Sequence, residues 1–223
     1  PQQHTGRAAR RARRWAPACV PPNDTARRVQ LASPERHSGI ARAAATSTPT
    51  CRCKQAPPPP PQPPQAVARY CGARFAVAVN SGTSALHLSC LAHGLAEGDI
   101  AWTSPNTFVA SANCARYCGA TVDFVDIDPI SYNICPVALK KKLVNAEQEG
   151  ILPKILIAVH FSGQPCDMEA IYKLSKQYGF HIIEDASHAF GAQYKSKPIG
   201  ACTHSDIAVF SFHPVKIITT AEG

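Results

Sequence analysis

The sequence predicts an α/β fold built on a mostly parallel sheet with helices on both faces. From Ala66 onward, short apolar runs alternate with amphipathic segments, and this alternation is typical of parallel strands joined by helices. The apolar runs lack the regular polar alternation of a half-exposed sheet, as expected of strands that are buried on both faces. Polar clusters follow several runs directly, at the positions where open α/β sheets bind ligands.

Six short strands are predicted from the apolar runs, because each run is too short for a helix. They cover residues 75–79, 99–103, 121–125, 155–159, 181–184 and 207–210. Three helices are predicted between them, over residues 83–93, 109–117 and 168–178. In the last helix, Met168, Ile171, Leu174 and Tyr178 share one face, which indicates packing against the sheet.

Residues 1–65 differ in composition from residues 66–223. Residues 1–66 hold 13 of the 20 prolines and 11 of the 23 Lys and Arg, but only two of the 15 acidic residues. They carry a charge of about +9, whereas the remainder carries about −1. The polyproline stretch at 57–64 excludes a helix or a central strand. We expect a disordered, basic tail over residues 1–65, of the kind that out-of-frame translation would also produce.

The composition excludes several classes of function. The basic run at 7–14 has no periodic apolar face and only Trp15 as an adjacent aromatic residue, so a solvated tail is a simpler interpretation than a nucleic-acid-binding arm. No apolar run approaches the roughly 20 residues that span a bilayer. The ten cysteines are scattered, which favours reduced thiols in the cytoplasm. Cys114 and Cys118 lack a second ligand pair at zinc-site spacing, so no metal site is predicted.

The first candidate site is the segment NSGTSA at residues 80–85, which follows a predicted strand and opens a predicted helix. The first N–H groups of a helix have no intrahelical acceptor, and they lie at the positive end of the helix dipole. Gly82 allows the chain to approach a ligand closely, and Thr83 and Ser84 add hydroxyl donors. This arrangement suits a phosphate group, although an ordinary Ser or Thr helix cap has the same sequence.

The second and third candidate sites follow two later strands. Asp185 ends the strand of the segment IIEDASHA, at the edge of the sheet where ligands bind. A carboxylate there can keep a pyridine nitrogen protonated, or it can simply cap a helix. Lys216 lies in the loop of the segment SFHPVK, with Ser211 at its start. An enclosed lysine becomes a nucleophile towards an aldehyde when it loses its proton, whereas a solvated loop lysine does not.

The order of five segments resembles the DegT/DnrJ/EryC1/StrS sugar aminotransferase family over roughly residues 66–223. The segments are SGTSAL at 81–86, SPNTFVASAN at 104–113, VHFSGQPCDM at 159–168, EDASHA at 184–189 and SFHPVK at 211–216. Within the family, the segment IITTAEG at 217–223 and the histidine at 188 are similar to the branch that acts in pseudaminic acid biosynthesis. Many family members carry Gln where His188 stands in this chain.

The resemblance implies the large domain of a pyridoxal phosphate (PLP) enzyme of fold type I. Lys216 is the implied catalytic residue and the Schiff-base lysine, and Asp185 is the implied partner of the pyridine nitrogen. The other implied cofactor contacts are Gly82, Thr83, Ser84 and Ser211 at the phosphate, Phe108 on the ring face and His188 near the ring hydroxyl. The resemblance also implies a smaller C-terminal domain, so that residues 66–223 are expected to be a truncated, partial PLP-binding domain.

The implied reaction moves an amino group from glutamate to PLP, and then to the 4-keto carbon of a UDP-linked 4-keto-6-deoxy amino sugar. Lys216 would serve as base and acid in both halves. The expected partners are the UDP-sugar, glutamate and a second copy of the full-length chain. We expect this chain alone to be weakly active or inactive.

Two alternatives keep the same fold. Related enzymes that dehydrate sugars carry histidine in place of the lysine, and Lys216 argues against that chemistry. A non-catalytic binding module would not bind the cofactor. Among the other conspicuous residues, His160 is expected to be satisfied by the backbone and Trp102 to pack near the edge of the sheet. His213 either contacts substrate or shapes the loop.

Overall fold

The computed structural model describes residues 63–220, so the predicted tail through residue 62 lies outside the described residues. Within this part the chain forms seven strands. In chain order they are β1 (Ile100–Thr103), β2 (Thr121–Phe124), β3 (Ile155–Val159), β4 (His181–Asp185), β5 (Gln193–Tyr194), β6 (Lys197–Pro198) and β7 (Ile207–Val209). Five strands form one parallel sheet in the order β2-β1-β3-β4-β7, and β5 and β6 form a short antiparallel hairpin. The predicted parallel α/β class is confirmed.

The described part of the chain also contains five α-helices. They are α1 (Pro63–Cys71), α2 (Gly82–Ala92), α3 (Ala110–Tyr117), α4 (Pro136–Glu149) and α5 (Met168–Tyr178). Buried residues of α2 and α3 pack with Ile157 and Ile183 of the sheet, whereas those of α4 and α5 pack with Leu156 and Ile182. Neighbouring strand residues point to opposite faces, so both faces are covered by helices. Each of these isoleucines and leucines is at least 99% buried, which stabilises the fold by about 1.5–3 kcal/mol per side chain.

The predicted strand at residues 75–79 is wrong, because the structure has no strand there. Phe75 and Val77 are 77% and 86% exposed. A strand needs a neighbouring strand to satisfy its backbone hydrogen bonds, and within residues 63–220 no strand pairs with this segment. The apolar composition of residues 75–79 was therefore insufficient to predict a strand.

The sequence interpretation also missed α1, α4 and the β5–β6 hairpin. Helix α1 begins at Pro63, inside the polyproline stretch from which a helix was excluded. That exclusion was wrong for the last two prolines of the stretch, because the first turn of a helix does not need its N–H groups as intrahelical donors.

Among residues 63–220, no helix combines the length and apolar character that a membrane span requires.

Candidate functional site

Asp185 lies at the carboxyl end of β4, between two paired neighbours in the sheet. Val159 of β3 and Val209 of β7 are its register partners, and the residue is only 6% exposed. The Ser111 hydroxyl donates a hydrogen bond to Oδ2 over 2.6 Å, and the Ser187 hydroxyl donates to Oδ1 over 2.6 Å. Both oxygens are therefore held by donors, which fixes the orientation of a buried carboxylate.

Lys216 reaches the same edge of the sheet from the loop that follows β7. Its Nζ donates a hydrogen bond to Nε2 of His188 over 2.9 Å. Burial, followed by the positive charge of Lys216, lowers the pKa of His188 below its ordinary value, and the charge of Asp185 opposes this effect only partly. His188 is therefore a neutral acceptor, with its own proton on Nδ1. The predicted lysine, histidine and aspartate meet at one edge of the sheet.

The predicted phosphate segment forms the first turn of α2. The Ser81 hydroxyl caps this helix by accepting a hydrogen bond from the backbone N–H of Ser84 over 3.1 Å, and the two hydroxyl oxygens lie 3.0 Å apart. Thr83 is the second residue of the helix. The structure brings Ser211 beside Gly82, where an added Cβ would lie 3.2 Å from the Cβ of Ser211. Glycine therefore allows the two predicted phosphate-binding segments to approach each other.

Phe108 lies in the loop before α3 and is 73% exposed. Its carbonyl oxygen accepts a hydrogen bond from the backbone N–H of Ser111 over 3.1 Å, and Ser111 is the residue that binds Asp185. The loop that carries this exposed ring is thus connected to the carboxylate of Asp185 through Ser111.

Sequence reasoning missed the residues that support His188. Gly163 has a φ of +87°, and a Cβ at this position would lie 2.6 Å from the carbonyl oxygen of His188. The turn that contains Gly163 is held by Asn133, whose Oδ1 accepts from the backbone N–H of Phe161 and whose Nδ2 donates to the carbonyl oxygen of Gln164, both over 2.9 Å. The FSG sequence is a turn signal, but its contact with His188 has no signal in the sequence.

His160 is satisfied by contacts on the opposite face of β4. Its Nδ1 accepts a hydrogen bond from the backbone N–H of Cys166 over 3.1 Å. Nε2 therefore carries the proton and donates to Oε2 of Glu184 over 2.7 Å. Glu184 and Asp185 point to opposite faces because they are consecutive strand residues. The expected backbone contact of His160 is confirmed, and the contact with Glu184 was not anticipated.

Two further residues have structural contacts. Trp102 is 2% exposed, as expected of a packing residue, and the Nζ of Lys142 lies 4.9 Å from its ring centroid. His213 accepts a hydrogen bond through its carbonyl oxygen from the backbone N–H of Lys216 over 2.9 Å. His213 therefore shapes the loop through its backbone.

A cavity of about 420 Å³ in the described part of the chain is lined by none of the predicted site residues. It lies between the segment before α4 and the β5–β6 hairpin. Its lining lysine, Lys195, is paired with Glu169. We place the functional site at the carboxyl edge of the sheet instead, because that edge gathers a buried carboxylate, a lysine and a helix N-terminus.

A parallel α/β sheet that carries these groups at its carboxyl edge has the architecture of the large domain of PLP-dependent enzymes of fold type I. The chain belongs to the DegT/DnrJ/EryC1/StrS aminotransferase family, whose family model matches residues 64–223. PLP is the cofactor of this family, and the similar solved structures include a PLP form.

Three relatives illustrate the similarity. GDP-perosamine synthase of Caulobacter vibrioides is 42% identical over 159 residues, covering 71% of this chain and 41% of that protein. UDP-4-amino-4,6-dideoxy-N-acetyl-beta-L-altrosamine transaminase of Campylobacter jejuni serotype O:2 is 44% identical over 159 residues, covering 71% and 40%. The PLP form of Spr1654 from Streptococcus pneumoniae superposes with a TM-score of 0.61 at 28% identity, covering 71% and 42%. The chain spans about 40% of the length of the curated relatives.

Proposed function

We propose that this chain provides the cofactor-binding part of an aminotransferase that moves an amino group from glutamate to the 4-keto carbon of a nucleotide-linked 4-keto-6-deoxy sugar. One observation carries the proposal. The Nζ of Lys216 lies 2.9 Å from Nε2 of His188, at the edge of the sheet where the buried carboxylate of Asp185 ends β4. A lysine and a carboxylate in this arrangement are the two groups that PLP chemistry requires of a protein.

The residues at this edge fit PLP. The contact between Gly82 and Ser211 leaves a helix N-terminus and a hydroxyl side by side, which suits the phosphate. Asp185 would contact the pyridine nitrogen, since its carboxylate is already oriented by two hydroxyl donors. Thr83 and Ser84 add first-turn hydroxyls, and Phe108 would cover a face of the ring. When bound, the cofactor supplies an electron sink for the carbanion that forms at the amino carbon.

Proton transfer is the role that we assign to Lys216. Its Nζ donates to His188, and the lowered pKa of that imidazole keeps the acceptor nitrogen free of a proton at neutral pH. His188 therefore orients the lysine by accepting its hydrogen bond, without adding a second positive charge beside it. A lysine that gives up its proton can act as a base and later return the proton as an acid. His188 would also lie near the ring hydroxyl.

We propose a UDP-linked amino sugar, in a pathway of the pseudaminic acid type, as the substrate. The similarity of His188 and of the segment at 217–223 to that branch supports this choice, as does the 44% identity to the altrosamine transaminase. The second candidate is a GDP-linked sugar, which the 42% identity to GDP-perosamine synthase favours. Both candidates require the same transfer to a 4-keto carbon.

We also propose that the whole protein is a cytoplasmic homodimer. Phe108 and Val215 lie near the candidate site and are 73% and 77% exposed, and a second copy would cover such apolar side chains. The seven cysteines of the described part are free thiols, which fits a reducing compartment. Sedimentation analysis of the PLP-loaded protein tests the dimer, and a monomer at micromolar concentration would contradict it.

The test of the cofactor site is a PLP titration followed by absorbance. We expect a band at longer wavelength than that of free PLP, produced by imine formation with the lysine. Lys216→Ala should lose the band, whereas the matched control Lys141→Ala, on the exposed surface of α4, should retain it. Equal bands in both variants, or no band from wild-type chain that is folded by circular dichroism, would contradict the assignment of Lys216.

The test of the substrate uses the two half-reactions of the whole protein in single-turnover form. Glutamate alone should abolish the band and release 2-oxoglutarate. Adding a UDP-linked 4-keto-6-deoxy sugar should then restore the band faster than the GDP-linked sugar does. Faster restoration by the GDP-linked sugar would favour the second candidate, and restoration by neither would contradict a nucleotide-sugar transaminase.

A further inference from the structure

Three potential metal ligands meet at the edge of the sheet opposite to the candidate PLP site. His93 follows the C-terminus of α2, His181 begins β4, and Asp206 directly precedes β7. One ligand atom from each of these side chains lies within 4.8 Å of the others. The three residues are far apart in sequence, so spacing rules for metal sites do not detect them.

His93 provides a second, independent observation. Its Nε2 is buried and has no hydrogen-bond partner within the described part of the chain, whereas buried polar atoms in folded proteins are almost always paired. The rings of His93 and His181 are stacked, with their centroids 4.4 Å apart and an interplanar angle of 26°. The unpartnered nitrogen of His93 therefore belongs to a cluster with a second imidazole and a carboxylate.

The carboxylate of Asp206 lies beside the imidazole of His181 in this cluster. Oδ2 of Asp206 is fixed in place, because it accepts a hydrogen bond from the backbone N–H of Ile182 over 2.8 Å and lies 3.5 Å from Nδ1 of His181.

We propose that His93, His181 and Asp206 bind a divalent transition-metal ion, with Zn²⁺ as the best match to two imidazoles and one carboxylate. Tetrahedral zinc with bonds of about 2.1 Å places its ligand atoms about 3.4 Å apart. The ligand atoms lie within 4.8 Å of one another, so the side chains must close by at most about 1.4 Å in each pair. Water would occupy the fourth position. The side chains of His181 and Asp206 are about half exposed, which leaves an entry path for the ion.

The site would brace the fold and would not take part in the amino transfer. It lies at the start of β4, whereas Asp185 ends that strand four residues later, and this length corresponds to about 13 Å. A bound ion would connect the end of α2 to the adjoining starts of β4 and β7. These strands are paired from Ile183 and Ile207 onward, and β7 leads into the loop that carries Lys216.

The test is a titration of metal-free protein with Zn²⁺, in which binding is measured by calorimetry. In a parallel titration with Co²⁺, binding is measured by visible absorbance. The sequence contains nine histidines and ten cysteines, so binding must be compared between variants of the full chain. Losing a residue that only supports a metal ligand typically lowers metal affinity 10–100-fold. We expect His181→Gln to lower the affinity of the tightest site by more than this. His87→Gln is the matched control, because His87 lies in α2, the helix that His93 directly follows. This variant should bind Zn²⁺ like the wild type.

A second variant separates metal binding from folding. His93→Gln removes the buried nitrogen and should abolish the same binding event while the circular dichroism spectrum is retained. Zn²⁺ should raise the midpoint of thermal unfolding of the wild type and of His87→Gln, but not of the two ligand variants. If His181→Gln and His93→Gln bind Zn²⁺ with wild-type affinity, or if the wild type binds none, the proposed site is refuted.

Discussion

Replacing Gly163 by alanine tests whether the turn at residues 161–163 sets the position of His188. Two costs are expected. An alanine at a φ of +87° is in the left-handed region, which costs roughly 1–2 kcal/mol for a residue with a Cβ. Its Cβ would also lie 2.6 Å from the carbonyl oxygen of His188, and relieving such a contact costs about 1–3 kcal/mol in a packed region. The free energy of unfolding should therefore fall by about 2–5 kcal/mol.

Gly179→Ala is the matched control. Gly179 has a φ of +79°, but a Cβ there would meet nothing within 4 Å, so only the backbone cost applies. Urea unfolding should show that Gly163→Ala is less stable than Gly179→Ala by at least about 1 kcal/mol. Movement of His188 should also displace its contact with Lys216 and weaken PLP binding in Gly163→Ala alone. Equal stability losses and equal PLP affinities in the two variants would refute the reasoning.

Two further predictions concern ionisable groups. Lys173, followed by Lys195, lowers the pKa of Glu169 from its ordinary value of 4.5 to about 2, so this pairing contributes fully above pH 4.5 and is lost as the pH falls towards 2. Glu169→Gln should flatten the dependence of stability on pH in that interval, and an unchanged urea-unfolding profile between pH 5 and pH 2 would contradict this. His160→Phe removes the ring donor to the buried carboxylate of Glu184 and should lower the free energy of unfolding by about 1–3 kcal/mol, as measured at pH 7. A loss below about 1 kcal/mol would mean that this hydrogen bond is not required.

Local patterns predicted some elements at the observed bounds and failed where pairing depends on distant residues. Strand Ile155–Val159 and helix Met168–Tyr178 agree with their predicted ranges, because each has an uninterrupted pattern and a clear boundary. The apolar segment at 75–79 looked the same locally, but no neighbouring strand pairs with it within residues 63–220. The contact between Gly163 and His188 joins two loops, and sequence patterns contain no signal for such a contact.

The candidate site was partly predictable for a related reason. The position of Asp185 follows from the rule that ligand-binding groups gather at the carboxyl edge of a parallel sheet, and the structure places it there. Gly82 was assigned to this edge from a predicted strand at 75–79 that the structure lacks, and it lies beside Ser211, which follows β7. The hydroxyls that orient Asp185 could not be predicted equally well. Ser187 is two residues away, a spacing at which aspartate often forms local hydrogen bonds. Ser111 lies in helix α3 and reaches Asp185 only through the tertiary fold.

The two chemical groups of the site have different mechanical supports. Asp185 is paired on both sides within the sheet and held by two hydroxyls, so its position is set before any ligand arrives. Lys216 lies seven residues beyond the end of β7 and is positioned by a turn to His213 and by the contact with His188. Because His188 follows Asp185 by only three residues, the rigid strand β4 determines where both the carboxylate and the acceptor of the lysine lie. Disturbing β4 should therefore impair cofactor binding through both groups at once, whereas a change in the lysine loop should leave the carboxylate in place.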